Sequence, residues 1–220
     1  MTVEFLWHER SRPTRGPKPA LSLDQITDAA IAIADAEGLA AVSMQRVAAV
    51  LGYTKMSLYR YLPGKAEMTA AMLERGIGAP PELPAGWRAA LTEWAERLHA
   101  RYAGHVWAIE ATVGDRPIGP NEMGWLECGL AALPAGLTGA ERLDAMATVA
   151  GHVRMIAGQG GGAEAQLAAA IGLVLREHAD RFPAVAAAVG EVAEQGGADQ
   201  ALRFGLERIL DGLQALISSR

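Results

Sequence analysis

Apolar residues recur every three to four positions along most of the chain, which is the spacing of amphipathic helices. The first such helix is predicted to begin at Ser22, because Ser22 and Gln25 have the spacing of a capping box, and to end at Gly38. Its apolar face consists of Ile26, Ala29, Ala30, Ile33 and Ala34. Alternating runs of Val, Ile, Thr or Tyr, typical of strands, are missing, so an all-α fold is predicted.

Three short helices are predicted to follow. One begins at Ser43 and ends at Gly52, the next covers about residues 55–62, and the third covers about residues 65–76. The segment GIGAPPELPAG after them is typical of a linker or loop. From Gly86 onward the pattern predicts five or six more helices and no internal repeat. Their breaks are expected near Gly104, at GDRPIGP, LPAGLTG and GQGGG, at Phe182-Pro183, and at EQGGAD.

Charge is unevenly distributed along this pattern. The formal net charge is −5, yet residues 1–65 carry eight Lys or Arg against six Asp or Glu. The remainder carries twelve basic and nineteen acidic residues. Residues 10–18 and residues 38–66 each contain four cations and no acid. A basic N-terminal end on an acidic body predicts that only this end meets a polyanion.

Several classes of protein are disfavoured by composition. No stretch reaches the roughly 18 uninterrupted apolar residues of a membrane span, and the N-terminus lacks the apolar segment of a signal peptide. Cys128 is the only cysteine, so an intrachain disulfide is excluded and a reducing, cytoplasmic location is predicted. In WLECGLAAL, Cys128 is interpreted as a small core residue.

The layout of a helix-turn-helix is predicted where LGYT joins two short helices. Gly52 lies where the chain must turn sharply, and Val47, Val50, Leu51 and Leu58 are expected to bury the inner faces. The outer face of the third helix then presents cations, hydroxyls and Met56, a mixture suited to phosphates and base edges. An acid here would oppose the phosphate backbone. The alternative is a plain helical hairpin with its tyrosines in the core.

A resemblance supports the first interpretation. The segment ITDAAIAIADAEGLAAVSMQRVAAVLGYTKMSLYRYLPGKAEMTAAML resembles the N-terminal domain of the tetracycline-repressor family of transcriptional regulators. This similarity covers about residues 20–75. AGHVWAIEA, RPIGPNEMGWLECGLAAL and RFGLERILDGLQALI are more weakly similar to the C-terminal domain of the branch that contains the tetracycline repressors themselves.

The resemblance implies a set of DNA contacts on the second, third and fourth helices. Ser57 is expected to donate to a base edge and Met56 to pack on a thymine methyl group. Lys65 is expected to hold a phosphate. The implied contacts are Ser43, Gln45, Thr54, Lys55, Met56, Ser57, Tyr59, Arg60, Tyr61 and Lys65. Arg12, Arg15 and Lys18 fit either a minor-groove arm, by analogy with homeodomains, or a solvated tail.

The resemblance also implies the domain plan. Residues 1–20 are expected to form a flexible basic arm, residues 21–66 the helix-turn-helix domain, and residues 67–220 a ligand-binding and dimerisation domain. Apolar stripes on two helices predict a homodimer built as a four-helix bundle, unless both stripes are buried within one subunit. The first stripe is Leu202, Leu206, Ile209, Leu210, Leu213, Leu216 and Ile217, and the second is Leu143, Met146, Val149, Ala150 and Val153.

A ligand pocket is expected on the middle helices, where tryptophan and methionine supply apolar lining and a few polar groups orient the ligand. The candidates are Trp94, His105, Trp107, Glu110, Met123, Trp125, His152, Met155 and Gln159, each of which also fits an ordinary core position. Tetracycline repressors hold magnesium with a histidine and an acid. Because no metal-ligand spacing is recognisable here, neither a metal nor another cofactor is predicted.

The predicted function is therefore a repressor that binds a palindromic operator as a homodimer and is released by a small hydrophobic molecule. One alternative is a regulator that responds to a protein or to no ligand at all. Another is an all-helical enzyme, but G-x-S-x-G, P-loop, H-E-x-x-H and paired-cysteine motifs are all missing. The chain is therefore predicted not to be an enzyme.

Overall fold

A computed structural model describes residues 4–7, 21–160, 163–195 and 200–220, and these residues form helices without a strand. The predicted all-α class is confirmed. The helices are α1 (Glu4–Trp7), α2 (Leu23–Glu37), α3 (Met44–Leu51), α4 (Lys55–Tyr59), α5 (Lys65–Ile77), α6 (Trp87–Gly104), α7 (Trp107–Ala111), α8 (Pro120–Ala132), α9 (Gly139–Gly158), α10 (Ala163–His178), α11 (Pro183–Gln195) and α12 (Ala201–Ser218). Two 3₁₀ turns, Leu39–Ala41 and Ala179–Arg181, complete the described elements.

Helix ends follow the capping signals in the sequence. Ser22 and Gln25 make both hydrogen bonds of the predicted capping box at the start of α2. Ser43 caps α3 by accepting a hydrogen bond from the Arg46 amide. Gly52 ends α3 with φ 74°, a left-handed conformation that glycine adopts without steric cost. An unforeseen second capping box, formed by Thr138 and Glu141, starts α9.

The chain packs as two compact units, residues 1–135 and 136–220. In the first unit, α2, α3 and α4 share a core that includes Ile26, Val47 and Leu58, all fully buried. Val50 was expected in this core, but that prediction is wrong because Val50 is 63% exposed. The inner face of α3 runs through Met44, Val47 and Ala48, and Val50 lies about 200° around the helix from Ala48, so its side chain turns toward solvent.

Helix α5 organises the rest of the first unit. It contacts α2 on one side and α6, α7 and α8 on others, and most of its residues are buried. The expected domain boundary after residue 66 therefore falls at the start of a helix that packs on both groups. Residues 78–86 form the predicted loop between α5 and α6.

In the second unit, α9 packs along α12. The contact buries Met146, Val149 and Val153 of α9, and Leu206 and Leu210 of α12. Helices α10 and α11 are joined through the second 3₁₀ turn. They border an apolar groove of about 310 Å³ lined by Ala170, Ile171, Val174, Leu175, Phe182 and Val185.

Residues Glu4–Trp7 of the expected N-terminal arm form helix α1. The Trp7 indole Nε1 donates a hydrogen bond of 3.0 Å to the Ile118 carbonyl in the loop before α8. Arg12, Arg15 and Lys18 lie outside the described residues. Within the described ranges, no helix has the length and apolarity to span a membrane. No cluster of three or more His, Cys, Asp or Glu side chains suited to a metal ion occurs among those residues either.

Candidate nucleic-acid interface and ligand site

Helix α4 is held by its inner side. Leu58 is fully buried beneath it, and the Thr54 hydroxyl caps its N-terminus by accepting a 3.3 Å hydrogen bond from the Ser57 amide. After Gly52 ends α3, the Tyr53 amide bonds back to the Ala48 carbonyl at 2.9 Å, closing the turn between the two helices. Because one side is anchored and the turn is closed, the opposite side of α4 is presented to solvent in a defined orientation.

The exposed side of α4 carries positive charge and apolar surface. Lys55, Met56, Tyr59 and Arg60 are all exposed, with Met56 at 72%. The Lys55 ammonium lies 5.5 Å from the centroid of the Tyr59 ring, a cation–π contact that restrains both side chains. Lys65, also exposed, begins α5 just after this helix. This arrangement suits cations that bind phosphates around a central residue that reaches a base.

The start of α3 adds exposed polar groups beside this face. Ser43 and Gln45 are exposed, and Ser43 also uses its hydroxyl as the cap of α3. Arg46 forms an ion pair with Glu37, so its charge is locally compensated. Of the four cations in the acid-free segment, Arg46 therefore contributes least to the positive surface.

Besides Thr54, whose hydroxyl caps α4, two predicted DNA contacts are engaged inside the protein. The Ser57 hydroxyl is half-buried and lies 3.0 Å from the Thr54 hydroxyl, and the Tyr61 hydroxyl donates a 2.8 Å hydrogen bond to the Leu21 carbonyl. These bonds favour structural roles for both hydroxyls: that of Ser57 bonds to the hydroxyl that caps α4, and that of Tyr61 ties the end of the motif to the start of α2. The residue types alone did not distinguish these roles from contacts with DNA.

Among the predicted ligand residues, Trp94 and Trp125 are brought together. Their rings meet edge to face with centroids 5.8 Å apart, and both are buried. The Trp94 indole donates to the Trp125 carbonyl at 2.8 Å, and the Trp125 indole donates to the Gly78 carbonyl at 3.0 Å. The pair therefore joins α6, α8 and the end of α5.

His105 and Trp107 form a second pair, and both bond to an acid on α2. The Trp107 indole N–H donates to Asp35 Oδ1 at 2.6 Å, and His105 Nδ1 lies 2.8 Å from the same oxygen. Trp107 is only 5% exposed. Asp35 was not predicted as a site residue, because nothing in the local sequence links an acid on the first long helix to residues seventy positions later.

Glu74 is a further residue that sequence reasoning missed. Its carboxylate is buried and accepts hydrogen bonds from the backbone N–H groups of Asn121 (2.7 Å) and Glu122 (2.9 Å) at the start of α8. Burial raises the pKa of Glu74 above its ordinary value, although the two N–H bonds act in the opposite direction. A Cβ on Gly119 would lie 2.7 Å from Glu74 Oε1, so this approach requires glycine. The signal in the sequence that could have identified Glu74 was the presence of an acid among the apolar residues of α5.

The other predicted ligand residues are not grouped into a recognisable site. Glu110 and Met123 are exposed in the first unit, and Met155 and Gln159 are exposed in the second. His152 is half-buried, with Nε2 2.9 Å from the Leu202 carbonyl. Its ring occupies the space above Gly205, where a Cβ would lie 2.5 Å from Nε2. This contact assigns His152 to the packing of α9 on α12.

The predicted dimer-interface stripe divides into two sets. Leu206 and Leu210 are each 2% exposed, so the monomer already buries them against α9 and they are removed from the predicted interface. The remaining predicted residues, Leu202, Ile209, Leu213 and Ile217, are half-buried. The periodicity could not separate these sets, because one margin of an apolar stripe can pack on a neighbouring helix while the other margin packs on a partner subunit.

Family models match most of the chain. The model described as "Bacterial regulatory proteins, tetR family" matches residues 26–72, and the model described as "Tetracyclin repressor-like, C-terminal domain" matches residues 80–217. The chain belongs to the tetracycline-repressor family. The resemblance is thus confirmed, and with it the DNA-binding helix-turn-helix and the C-terminal helical domain of a transcriptional regulator. The two matches are separated at the end of α5.

Individual members of the tetracycline-repressor family are similar over nearly the whole chain. The HTH-type transcriptional repressor DrrR1 of Streptomyces coeruleorubidus is 40% identical over 243 residues, covering 100% of this chain and 87% of DrrR1. Apo ActR of Streptomyces coelicolor matches with a TM-score of 0.76 and 25% identity over 92% of this chain and 99% of ActR. ActR in complex with actinorhodin matches with a TM-score of 0.72 and 26% identity, over 90% and 97% of the two chains.

Proposed function

We propose that this regulator is a cytoplasmic repressor that binds a palindromic operator as a homodimer and is released by a small hydrophobic molecule. The observation that carries the proposal is the exposed face of α4, where Lys55, Met56 and Tyr59, with Arg60 at the C-terminal cap, are presented by a helix anchored by buried Leu58. A basic helix whose inner side is fixed can enter the major groove in a defined orientation. The name of the relative DrrR1 supports repression.

Within this face, we assign different roles to different side chains. Arg60 and Lys65 are expected to bind phosphates, since both are exposed cations at the C-terminal end of α4 and the start of α5. Lys55 and Met56, in the first turn of α4, are expected to contact base edges. Ser43 and Gln45 are expected to contact the phosphate backbone or a base edge from α3.

Buried aromatic groups and a buried hydrogen-bond donor support the proposal that the protein binds a small hydrophobic ligand. The Trp94–Trp125 pair offers large apolar surface in the body of the first unit. Arg116 pairs with both carboxylate oxygens of Glu122 at 2.6 Å, while its Nε is buried without a hydrogen-bond partner among the described residues. A buried donor of this kind fits a polar atom of an otherwise apolar ligand. ActR, a relative, has been crystallised in complex with actinorhodin.

Exposed apolar positions support the homodimer. On α9, Leu143 is 55% and Met155 57% exposed, and on α12, Phe204 is 62% and Leu216 37% exposed. These residues lie on the two helices whose opposite faces already pack together within the second unit. A partner copy that covered them would complete a four-helix bundle. We therefore propose the interface at these margins of α9 and α12, joined by the half-buried Leu213 and Ile217.

The proposed release is a shift between conformations. Helix α4 ends at Tyr59 and α5 begins at Lys65, with Leu62 of the short connection fully buried, so a change in the angle of α5 is expected to move α4. A ligand that prefers the conformation in which α5 is turned lowers the affinity for operator. A ligand that binds both conformations equally releases nothing. No step of this mechanism requires catalysis.

Operator selection from random duplex DNA tests the DNA-binding part of the proposal. The selected sequence is expected to be a palindrome, with half-sites separated by about one helical turn. The ligand part is tested by melting the protein against a library of small hydrophobic molecules. A ligand at 100 times its dissociation constant raises the free energy of unfolding by about 2.7 kcal/mol. Affinities for that ligand that are equal with and without operator would contradict the proposed release, because linkage is reciprocal.

A further inference from the structure

Three consecutive residues of α5 face three different neighbours. Glu74 binds the backbone at the start of α8, Arg75 forms an ion pair with Asp28 of α2, and Gly76 lies under the Trp107 and His105 rings. A Cβ on Gly76 would lie 3.3 Å from Trp107 Cη2, so the indole packs directly on the backbone of α5. At this point three parts of the first unit meet: the three-helix motif (α2, α3 and α4), helix α5, and the body formed by α6, α7 and α8.

Asp35 closes this junction from the side of α2. It lies in the last turn of α2, where the helix dipole disfavours an acid. That unfavourable position is compensated by two donors from outside the helix, since Oδ1 accepts from the Trp107 indole and lies within hydrogen-bond distance of His105 Nδ1. These two interactions are sufficient to explain why a carboxylate is found at this end of α2.

We infer that Asp35 is a positioning residue for operator binding, which holds the α2–α3–α4 motif in one orientation against α7. The inference rests on the proposed function and names a residue that contacts neither DNA nor ligand. Helix α2 packs on α3, and α3 packs on α4, so a constraint on the C-terminal end of α2 reaches the exposed face of α4. Loss of the Asp35 bonds leaves this face intact but lets its orientation vary.

Asp35→Ala removes the acceptor, and Trp107→Phe removes the donor while keeping an aromatic ring at this position. Each change is expected to weaken binding to the selected operator at least tenfold, with the salt dependence unchanged because every cation that binds a phosphate remains in place. The double variant is expected to be no weaker than Asp35→Ala alone, because both changes remove one interaction. Glu37→Ala is the matched control. It alters the same helix by the same charge but breaks an ion pair inside the motif, with Arg46.

A second measurement needs neither operator nor ligand. Spin labels are attached at Val50→Cys on α3 and Glu96→Cys on α6, in a Cys128→Ser background, and both positions are exposed. The pair measures the distance between the three-helix motif and the body of the first unit. Labelled chains are mixed with excess unlabelled protein so that only distances within one chain contribute. Asp35→Ala and Trp107→Phe are expected to broaden this distance distribution, and Glu37→Ala is expected to leave it unchanged.

The outcomes separate the inference from the proposed function. Distributions that stay narrow in both variants overturn the inference, whether or not an operator has been found. Additive losses of operator affinity in the double variant, or a Glu37→Ala loss as large as that of Asp35→Ala, overturn it as well. If the native protein selects no DNA while the distributions broaden, the proposed function fails, and Asp35 then holds the motif against α7 without a role in operator binding.

Discussion

At the residue scale, Glu74 shows how one buried carboxylate organises a junction. It replaces solvent at the first N–H groups of α8, which have no partner within their own helix. The approach is possible because Gly119 has no side chain. Glu74 is therefore both a helix cap and a link between α5 and α8.

Gly119→Ala is expected to displace Glu74 and lower the free energy of unfolding by about 1–3 kcal/mol, since buried N–H groups at the start of α8 lose their acceptor. Thermal or urea unfolding measures this loss. Gly139→Ala, at the first residue of α9 where a Cβ meets nothing within 4 Å, is the matched control and is expected to be neutral or slightly stabilising. Equal stability of the two variants would show that the Glu74 cap is dispensable.

Glu141 gives a pH-dependent prediction. Arg220, by hydrogen bonding, lowers the pKa of Glu141 from 4.5 to about 2, and the Thr138 backbone acts in the same direction. A lowered folded-state pKa contributes stability above pH 4.5 that is lost as the pH falls toward 2. Burial acts oppositely on Glu74, whose raised pKa contributes stability at low pH that is lost as the pH rises.

Arg220→Gln is therefore expected to lower stability at pH 6 and to have little effect near pH 2. Urea unfolding of native and variant protein across this range gives the difference curve. Because the pair is exposed, the change at pH 6 is expected to be small, and Arg154→Gln on α9 serves as a control for the loss of one charge. A difference curve that is flat between pH 6 and pH 2 would exclude the Arg220 ion pair as the cause.

At the scale of the element, α4 is a short helix whose two sides have different roles. Its inner side and its ends are fixed by Leu58, the Thr54 cap and the Tyr61 hydroxyl. Its outer side is exposed, and we propose that this side contacts DNA. Substitutions are therefore expected to fall into three classes, according to the side or end they alter.

Arg60→Ala and Lys65→Ala are expected to weaken binding to all duplex DNA, with the salt slope flattened by about one unit per phosphate in each half-site. Substitutions of Lys55 or Met56 are expected to change the preferred operator. Each base edge that the variant no longer binds is expected to cost roughly 1–3 kcal/mol per half-site. Binding isotherms at several salt concentrations separate the two classes.

Tyr61→Phe is the third class and the control for structure. It removes the hydroxyl bonded to Leu21 and is expected to cost about 0.5–1.5 kcal/mol of folding stability with an unchanged operator preference. A Tyr61→Phe protein of native stability but altered preference would return Tyr61 to the set of direct DNA contacts. Native binding by folded variants at Lys55, Met56, Arg60 and Lys65 together would remove α4 as the recognition helix.

At the scale of the whole molecule, dimerisation can be tested separately from folding. Phe204→Glu places a charge at a residue that is 62% exposed in the monomer, so the variant is expected to fold and to remain monomeric. Leu206→Glu buries the same charge between α9 and α12 and is expected to unfold the second unit. Light scattering and melting curves measure both effects. A native protein that is monomeric at micromolar concentration would contradict the proposed dimer.

The sequence alone determined the features that depend on neighbours along the chain. Helical periodicity predicted the all-α class, the Ser22–Gln25 spacing predicted a capping box, and Gly52 predicted the turn, because each signal is complete within a few residues. The acid-free segment and the family resemblance pointed to α4 as the proposed recognition helix for the same reason. The prediction of which residues are buried was less accurate, as the exposed Val50 shows.

Only the tertiary structure decided which polar groups meet. Asp35 bonds to residues 70 and 72 positions away, and Glu74 caps a helix 47 positions away. It also decided that Leu206 and Leu210 belong to the monomer, while Phe204 and Leu216 remain exposed. A single sequence records the chemical type of a side chain and its position on a helix. The partner of that side chain is set by how the helices pack, and packing depends on the summed burial of many residues rather than on any local pattern.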